Sequence, residues 1–371
     1  MDYFPITIAH DKAFCNRVQE RCYLKELITA RRHTVVIAPR RYGKTSLIAQ
    51  CLSELKMPHV TMELTLVTTA HDVEKLIANH VSAFLYTVLP KTTKAKTKIL
   101  KLFQWLNPQL TLTAHGQSLQ FKPDWQNHPT KNIAEILKKL NEAAKLANKK
   151  MVIVMDEFQQ LSLIDNHTIE ASIRHAMQYS THISYIFSGS HRHMLLSMFN
   201  NKNQPFYNSC EILSLTRIHH DDYVKFIQHA AKEKWHKNIP LETLNALFEL
   251  TEYHPNYINR VCGYLWLTHQ FPTTQNIHHY WDECVQSKQA EFSENILSLS
   301  ANQKRVFSYL ARHPTKQVSD HDFCNAVQLP EASVRQAVKV LLKKDYLQKN
   351  KEGVISVLDP AMKSYLNSLF G

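Results

Sequence analysis

The chain has 371 residues, is 44% hydrophobic and 20% charged, and carries a formal net charge of +12. Its length exceeds one ordinary core and predicts two or three domains, while no apolar run reaches the roughly 18–20 residues that cross a bilayer, which speaks against a membrane protein. Seven scattered cysteines with no Cys-x-x-Cys pair exclude a disulfide scaffold and indicate free thiols in the cytoplasm.

The opening MDYFPITIAHDKAF lacks the basic-then-apolar order of a secretion signal. Charge is spread unevenly. Residues 1–150 hold 23 Lys and Arg against 11 Asp and Glu, residues 151–297 hold 10 against 15, and residues 298–371 hold 11 against 6. Basic ends around an acidic middle fit an anionic partner, and fit solvated helical surface equally well.

In chain order, residues 12–31 read as a helix leading into a strand at 34–38, then a loop and a helix from Lys44 to about Leu55. A strand at 59–64 and a helix at 70–89 follow. Residues 109–121 alternate apolar and polar around His115 and Gly116, the pattern of a hairpin, and 131–148 reads as a helix. MVIVMDEFQQL is then an almost wholly apolar strand ending in two carboxylates. A helix at 167–180, the apolar strand ISYIFSGS (183–190) and the strand EILSLT (211–216) complete this part. Continuous apolar strands separated by helices predict an α/β fold, a parallel sheet covered on both faces. From 219 to 292 the pattern is helical, and a compact module begins at 298.

Only six glycines occur in the whole chain, and one stands before Lys44-Thr45 at the end of a buried strand, in VVIAPRRYGKTSLIAQ. A turn of this kind points its backbone N–H groups inward around phosphate oxygens, and the following helix N-terminus adds favourable partial charge. The loop runs Ala38-Pro39-Arg40-Arg41-Tyr42-Gly43 and continues through Lys44, Thr45 and Ser46. Lys44 is assigned to the β and γ phosphates and Thr45 to Mg²⁺, while Ala38 replaces the first glycine of G-x-x-x-x-G-K-[ST]. The second half of the site is Asp156-Glu157. Asp156 can hold magnesium through water, and Glu157 can polarise the attacking water as the catalytic base. Two carboxylates directly after an apolar strand exceed what a helix cap requires. The chain is therefore expected to bind a nucleoside triphosphate. Ser188, ending the next strand, either reaches the γ-phosphate or lytic water or marks an ordinary strand-to-helix turn.

These segments together resemble the prokaryotic AAA+ ATPases of the archaeal-type ATPase family, neighbours of STAND signalling NTPases and origin-recognition ATPases. FCNRVQERCYLKEL (14–27) is similar to the family's opening box, with Asn16, Arg17 and Glu20 at matching positions, and implies that Arg17 lies near the adenine. APRRYGKTSL resembles its phosphate loop and VMDEFQQL its acidic strand end. Residues 172–199 resemble the stretch that carries Arg174, Gln178, Ser188 and Ser190. Ser209-Cys210 occupies the place where many relatives have an arginine, so no arginine finger is assigned there and Arg174 or Arg192 is the substitute. LTEYHPNYINRVCGYLW resembles the His-Pro motif of the helical lid, which implies His254 and Pro255 near the base.

The resemblance implies a P-loop core over 1–218 with an insert at about 91–130, a helical lid over 219–297, and a final domain over 298–371. It implies ATP and Mg²⁺ as cofactors, and a site that neighbouring subunits of a homo-oligomer can complete with an arginine. Without that arginine, turnover is slow and the protein acts as a switch.

The final domain reads as a winged helix-turn-helix. Helix 301–312, a short helix near 319–327 and helix 332–344 precede two strands around Lys351-Glu352-Gly353. Val334, Val338, Leu341 and Leu342 fall on one helical face. Arg335, Gln336, Lys339 and Lys343 line the other, types that contact base edges and phosphates when a helix enters the major groove. Lys349 and Lys351 on the wing would add phosphate contacts. The function expected is an ATPase switch coupled to duplex DNA. The alternative is a STAND-like signalling switch whose winged helix binds a protein partner. Lys91, Lys94, Lys96, Lys98 and Lys101, with Trp105 and Trp125, form an insert that is either a basic arm or a solvated helix. The histidine pairs at 191/193, 219/220 and 278/279 lack metal-ligand spacing.

Overall fold

The computed structural model describes residues 3–90, 93–113, 116–121, 129–164 and 167–369. The chain divides into two compact units. One, the sheet unit, comprises Arg17–Arg40 and Leu47–Leu215; the other, the helical unit, comprises the stretch up to Asn16, Arg41–Ser46, and the chain from Thr216 onward.

The sheet unit is built from α1 (Val18–Thr29), β1 (Thr34–Ile37), α2 (Lys44–Leu55, from Leu47 on), β2 (His59–Glu63), α3 (Ala70–Val88) and α4 (Thr93–Leu102). It continues with β3 (Pro108–Thr113), β4 (Gly116–Phe121), α5 (Pro129–Leu146), β5 (Met151–Asp156), α6 (Thr168–Gln178), β6 (Ile183–Gly189), α7 (Arg192–Asn200) and β7 (Glu211–Ser214). Five strands form a parallel sheet in the order β2-β5-β6-β1-β7. The three central strands are apolar at nearly every position and are buried on both faces, as a sheet covered by two helical layers demands. At the edge, β2 buries only Val60 and Met62 and turns His59, Thr61 and Glu63 outward. Helices α3, α5 and α6 lie side by side, and the β3-β4 hairpin packs on α3. The rings of Phe103 and Phe121 stack at 5.2 Å.

The helical unit holds α8 (His220–Trp235), α9 (Leu241–Thr251), α10 (Pro255–Leu267), α11 (Thr274–Gln286) and α12 (Gln289–Leu297), the lid. The winged region follows: α13 (Ala301–Arg312), α14 (His321–Val327), α15 (Glu331–Lys343), β8 (Leu347–Lys349), β9 (Ile355–Val357) and α16 (Pro360–Leu369). Lid and winged region share one apolar core, in which Tyr257, Trp281 and Phe292 of the lid join Phe307, Leu341 and Tyr365.

Several boundaries differ from the sequence expectation. The first helix begins at Val18, not residue 12, because Asn16 and Arg17 both take a left-handed backbone, φ 46, that no helix can pass through. Only a 3-10 turn, Asp11–Ala13, precedes it. The strand expected to 216 ends at Ser214, and α16 was not foreseen. The insert contains helix α4 and the hairpin; His115, Lys91 and Trp125 lie outside the described residues. Among the described residues no helix is long and apolar enough to cross a membrane.

The sheet unit's core centres on Phe187 of β6, whose ring lies 4.4 Å from that of Phe158, 5.2 Å from Phe206 and 5.5 Å from Phe199. Phe187→Ala leaves a cavity among these rings and is expected to cost about 3–5 kcal/mol, read as a lowered denaturant midpoint in a urea titration.

Candidate functional site

In a parallel sheet every strand delivers its C-terminal end to the same rim. The register pairs Glu63 with Asp156, Met155 with Phe187, Val36 with Ser188 and Ile37 with Gly189. Asp156, Ser188 and the segment Ala38-Pro39-Arg40 that leaves β1 therefore gather on one edge. The strands stay apolar while the helical layers cover them and turn polar where that cover ends.

Each carboxylate has its own donors. Asp156 Oδ1 accepts from the Ser188 hydroxyl at 2.6 Å and from the Glu157 N–H at 3.0 Å. Ser188 is 1% exposed, so its hydroxyl serves Asp156. Glu157 has a left-handed backbone, φ 52, at the entry to the 3-10 turn Phe158–Leu163. Its Oε2 accepts from the Ser190 hydroxyl at 2.9 Å, the Ser190 N–H at 3.3 Å and the Gln159 amide at 2.5 Å. Gln159 lies hard against β6: a Cβ at position 189 would come within 2.0 Å of its Oε1, which only glycine avoids. The His191 ring lies 3.3 Å from Gln159 Nε2 through Nδ1 and 3.4 Å from Arg40 Nη2 through Nε2. A neutral imidazole has one accepting nitrogen. It can serve the amide or the guanidinium, not both.

In the helical unit, the run Arg41–Ser46 carries two left-handed residues, Arg41 at φ 63 and Gly43 at φ 86. A Cβ on Gly43 would meet nothing within 4 Å, so the glycine is needed for backbone conformation and not for room. Lys44, 7% exposed, opens α2, Thr45 is exposed, and Ser46 Oγ accepts from the Ala9 N–H at 3.0 Å. Tyr42 is buried with its ring edge-on to His254 at 4.9 Å, and Arg41 Nη1 lies 3.4 Å from Asn256 Oδ1. His254 caps α10, whose first residue is Pro255, a residue suited to a position with no N–H to satisfy. It is 5% exposed, and among the described residues nothing partners its Nδ1. Burial, helped by the Arg217 and Lys288 charges, pushes its pKa down to about 3. The ring is neutral, with an unused polar edge.

The remaining predicted residues stand apart from these. Arg17 is buried and pairs with Glu20 at 3.0 Å. Arg174 bonds Gln178 at 3.2 Å and acts on His33 and Cys210, which precede β1 and β7. That is the N-terminal edge of the sheet, opposite the carboxylates. Arg192 opens α7. On α15, Arg335, Gln336, Lys339 and Lys343 are exposed while Val334, Val338 and Leu341 are buried; Leu342 is only partly so. Arg335 forms an ion pair with Glu331 one turn earlier. Lys349 and Lys351 are exposed at the wing. Sequence reasoning gave no role to Gln159, His191 or Arg217. The first two lie within two residues of a named site residue, which was the available signal.

Two histidines, the buried His254 and the half-buried His33, predict acid sensitivity. His33 accepts the Tyr185 N–H at 3.2 Å and is pushed down to about 4, chiefly by burial. With His254, both folded values lie below the unfolded value, so protonation favours the unfolded chain. Their contribution is complete above about pH 6.5 and is lost as pH falls toward the folded values. The slope is at most about 1.4 kcal/mol per pH unit for each histidine. Urea midpoints at pH 7.5 and pH 5 should differ accordingly, and His33→Gln should reduce the difference.

The sequence profile of ATPase domains predominantly from Archaea matches residues 14–261. A profile described as a probable winged helix domain matches 290–368. No curated protein is significantly similar to the chain. Among solved structures, the Walker-type ATPase PABY2304 of Pyrococcus abyssi superposes with a TM-score of 0.72 at 15% identity, over 98% of this chain and 99% of that one. The ORC2 protein of Aeropyrum pernix, in ADPNP–ADP complexes, does so with a TM-score of 0.55 at 10% identity, over 96% and 95%. At such identities the likeness is one of fold. The chain belongs to the archaeal-type ATPase domain family, an AAA+-like α/β fold with a helical lid and a C-terminal winged helix.

Proposed function

We propose that the chain binds ATP with Mg²⁺, hydrolyses it to ADP and phosphate, and works as a nucleotide-controlled switch whose winged helix engages duplex DNA. The observation that carries this reading is the pair Asp156-Glu157. Each carboxylate is separately oriented, by Ser188 and by Ser190 with Gln159, on the rim where β1 leads toward Gly43-Lys44. The ADPNP–ADP complexes of the Aeropyrum pernix protein support a nucleotide ligand.

On this reading the backbone from Ala38 through Ser46 wraps the phosphates and the Lys44 ammonium offsets their charge. Thr45 and Asp156 offer hard oxygen ligands of the kind Mg²⁺ takes. Bound magnesium would neutralise charge on the phosphate oxygens. Ser188 keeps Asp156 in place, and Glu157 takes the proton of the attacking water, its orientation fixed by Ser190 and Gln159. The unpartnered Nδ1 of His254, beside Tyr42, fits the polar edge of a purine, with Pro255 and Arg17 also assigned to the base. Core, lid and winged domains are taken as 1–218, 219–297 and 298–371. Self-association would supply a missing arginine, and turnover is slow without it.

Lys44→Ala is expected to abolish ATP binding in a calorimetric titration with Mg²⁺. Glu157→Gln should bind ATP normally and release phosphate roughly 10²–10⁴-fold more slowly. Normal turnover in that variant would refute the base assignment.

The DNA reading rests on the exposed face of α15 and on the excess of 11 cationic over 6 anionic residues in 298–371. The pairing of Arg335 with Glu331 favours the second reading, a STAND-like switch with a protein partner, because it occupies one of the four contact residues. Titration of duplex DNA at several salt concentrations separates them. DNA binding requires log affinity to fall linearly with log salt, with a slope near −0.9 per phosphate neutralised. Neutralising Lys339 and Lys343 should flatten that slope by about two contacts. No binding at low salt would leave the protein-partner reading.

A further inference from the structure

Arg217 stands at the start of the helical unit, and each nitrogen of its guanidinium meets a different segment. Nε donates to the Tyr42 hydroxyl at 3.2 Å, Nη1 to Glu252 Oε2 at 2.7 Å, and Nη2 to the Leu358 carbonyl at 3.1 Å. Tyr42 sits between the left-handed Arg41 and Gly43, two residues before Lys44. Glu252, itself left-handed at φ 46, ends α9 two residues before His254. Leu358 follows β9 of the wing and precedes α16.

A second set of bonds braces the same place. Glu252 Oε1 accepts from Lys363 of α16 at 2.7 Å. The Tyr257 hydroxyl of α10 meets Asp359, 2.8 and 2.9 Å from its two oxygens, and Asp359 Oδ1 accepts the N–H groups of Ala361 and Met362. The first turn of α16 is thus tied to the lid.

A guanidinium is a rigid planar fork, so its three acceptors must keep one geometry. Hydrogen bonds from a charged donor are about twice as strong as neutral ones, and the bond to Glu252 is the short one of the three. A shift of Tyr42 by an ångström or so breaks at least one arm, since such bonds weaken steeply beyond about 3.2 Å and below about 120°. The backbone around Gly43 and the stretch 358–363 consequently hold each other in place.

We propose that Arg217 is a positioning residue for the phosphate loop, acting through Tyr42, and the link by which a ligand on that loop reaches the winged helix. This rests on the nucleotide reading above. Linkage makes the effect reciprocal: whatever loosens the winged end of the bond set also weakens the ligand, by the same factor.

The test uses the full chain with ATP and Mg²⁺, measuring affinity by calorimetry and amide hydrogen exchange over 340–369 with and without nucleotide. The wild type should bind and should alter exchange in 355–369. Arg217→Lys keeps the charge but loses the fork, and should bind ATP at least roughly fivefold more weakly with the exchange response lost. Lys363→Met touches only the far end, so it should fold, weaken ATP less and diminish the response. A purely structural role for Arg217 would lower stability in both variants without changing the response to ATP. Wild-type affinity and response in either folded variant would overturn the link while leaving the nucleotide reading intact. If the wild type binds no ATP, that reading fails and the link falls with it.

Discussion

The 2.6 Å hydrogen bond from Ser188 to Asp156 joins the ends of two strands that are otherwise apolar. Side chains on a strand alternate between faces, so a slip of one residue between β5 and β6 would turn Ser188 away and replace it with Phe187 or Gly189. The carboxylate would then lose the Ser188 hydroxyl while keeping the Glu157 N–H, at a cost of about 1.5–3 kcal/mol for a hydrogen bond to a charged group. Register, held by the packing around Phe187, thus decides whether Asp156 meets the Ser188 hydroxyl. The close fit of Gln159 against Gly189 extends the same constraint to Glu157.

The two units handle polar groups in different ways. Within the strands of the sheet, charge is confined to the ends, where helical cover stops, while Glu74 and Glu170 are buried on the covering helices. In the helical unit a charged set is taken inside: Glu252 is shared by Arg217 and Lys363, with neutral oxygens from Tyr42 and Leu358 completing the fork. The charges of Arg217, Lys288 and Arg41 join burial in keeping the His254 ring neutral. Partly buried ion networks contribute little net stability compared with apolar packing, and their best attested use is to specify geometry. A network connecting loop, lid and winged region suits that use.

The sheet was legible because its chemistry repeats at every position: MVIVM and ISYIF can only be strands buried on both faces. The loop was legible because a glycine before Lys-Thr is costly in a chain with so few glycines. The acidic pair was legible because two charges end an apolar run. What failed has equally local causes. The helix expected from residue 12 shows acceptable helical periodicity, and nothing in composition announces that Asn16 and Arg17 take left-handed backbones. Helix α16 begins with a proline and follows a short strand, so it reads as a tail. Arg174, named as a substitute arginine, sits on a helix that runs back toward the strands' N-terminal ends, a direction that sequence distance hides. The fork of Arg217 needs acceptors 175, 35 and 141 residues away in sequence, a coincidence of folding that no window reveals.

On the proposed reading these parts divide the work of a switch. A ligand shifts a two-state equilibrium only by its difference in affinity for the two states. The amides around Gly43 and the Lys44 ammonium would grip the β-phosphate that ADP shares with ATP, so the link through Tyr42 and Arg217 would report that the loop is filled. Telling the two nucleotides apart requires groups that meet the γ-phosphate or its lytic water, and the candidates are those of the sheet rim: Glu157 with Ser190 and Gln159, and beyond them His191 and Arg40. There the His191 ring stands between two donors, Gln159 and Arg40. Drawing Arg40 toward an anion would free the ring for Gln159, and so couple the charge of the nucleotide to the setting of the base. On that reading, occupancy and identity of the nucleotide would be sensed by different residues.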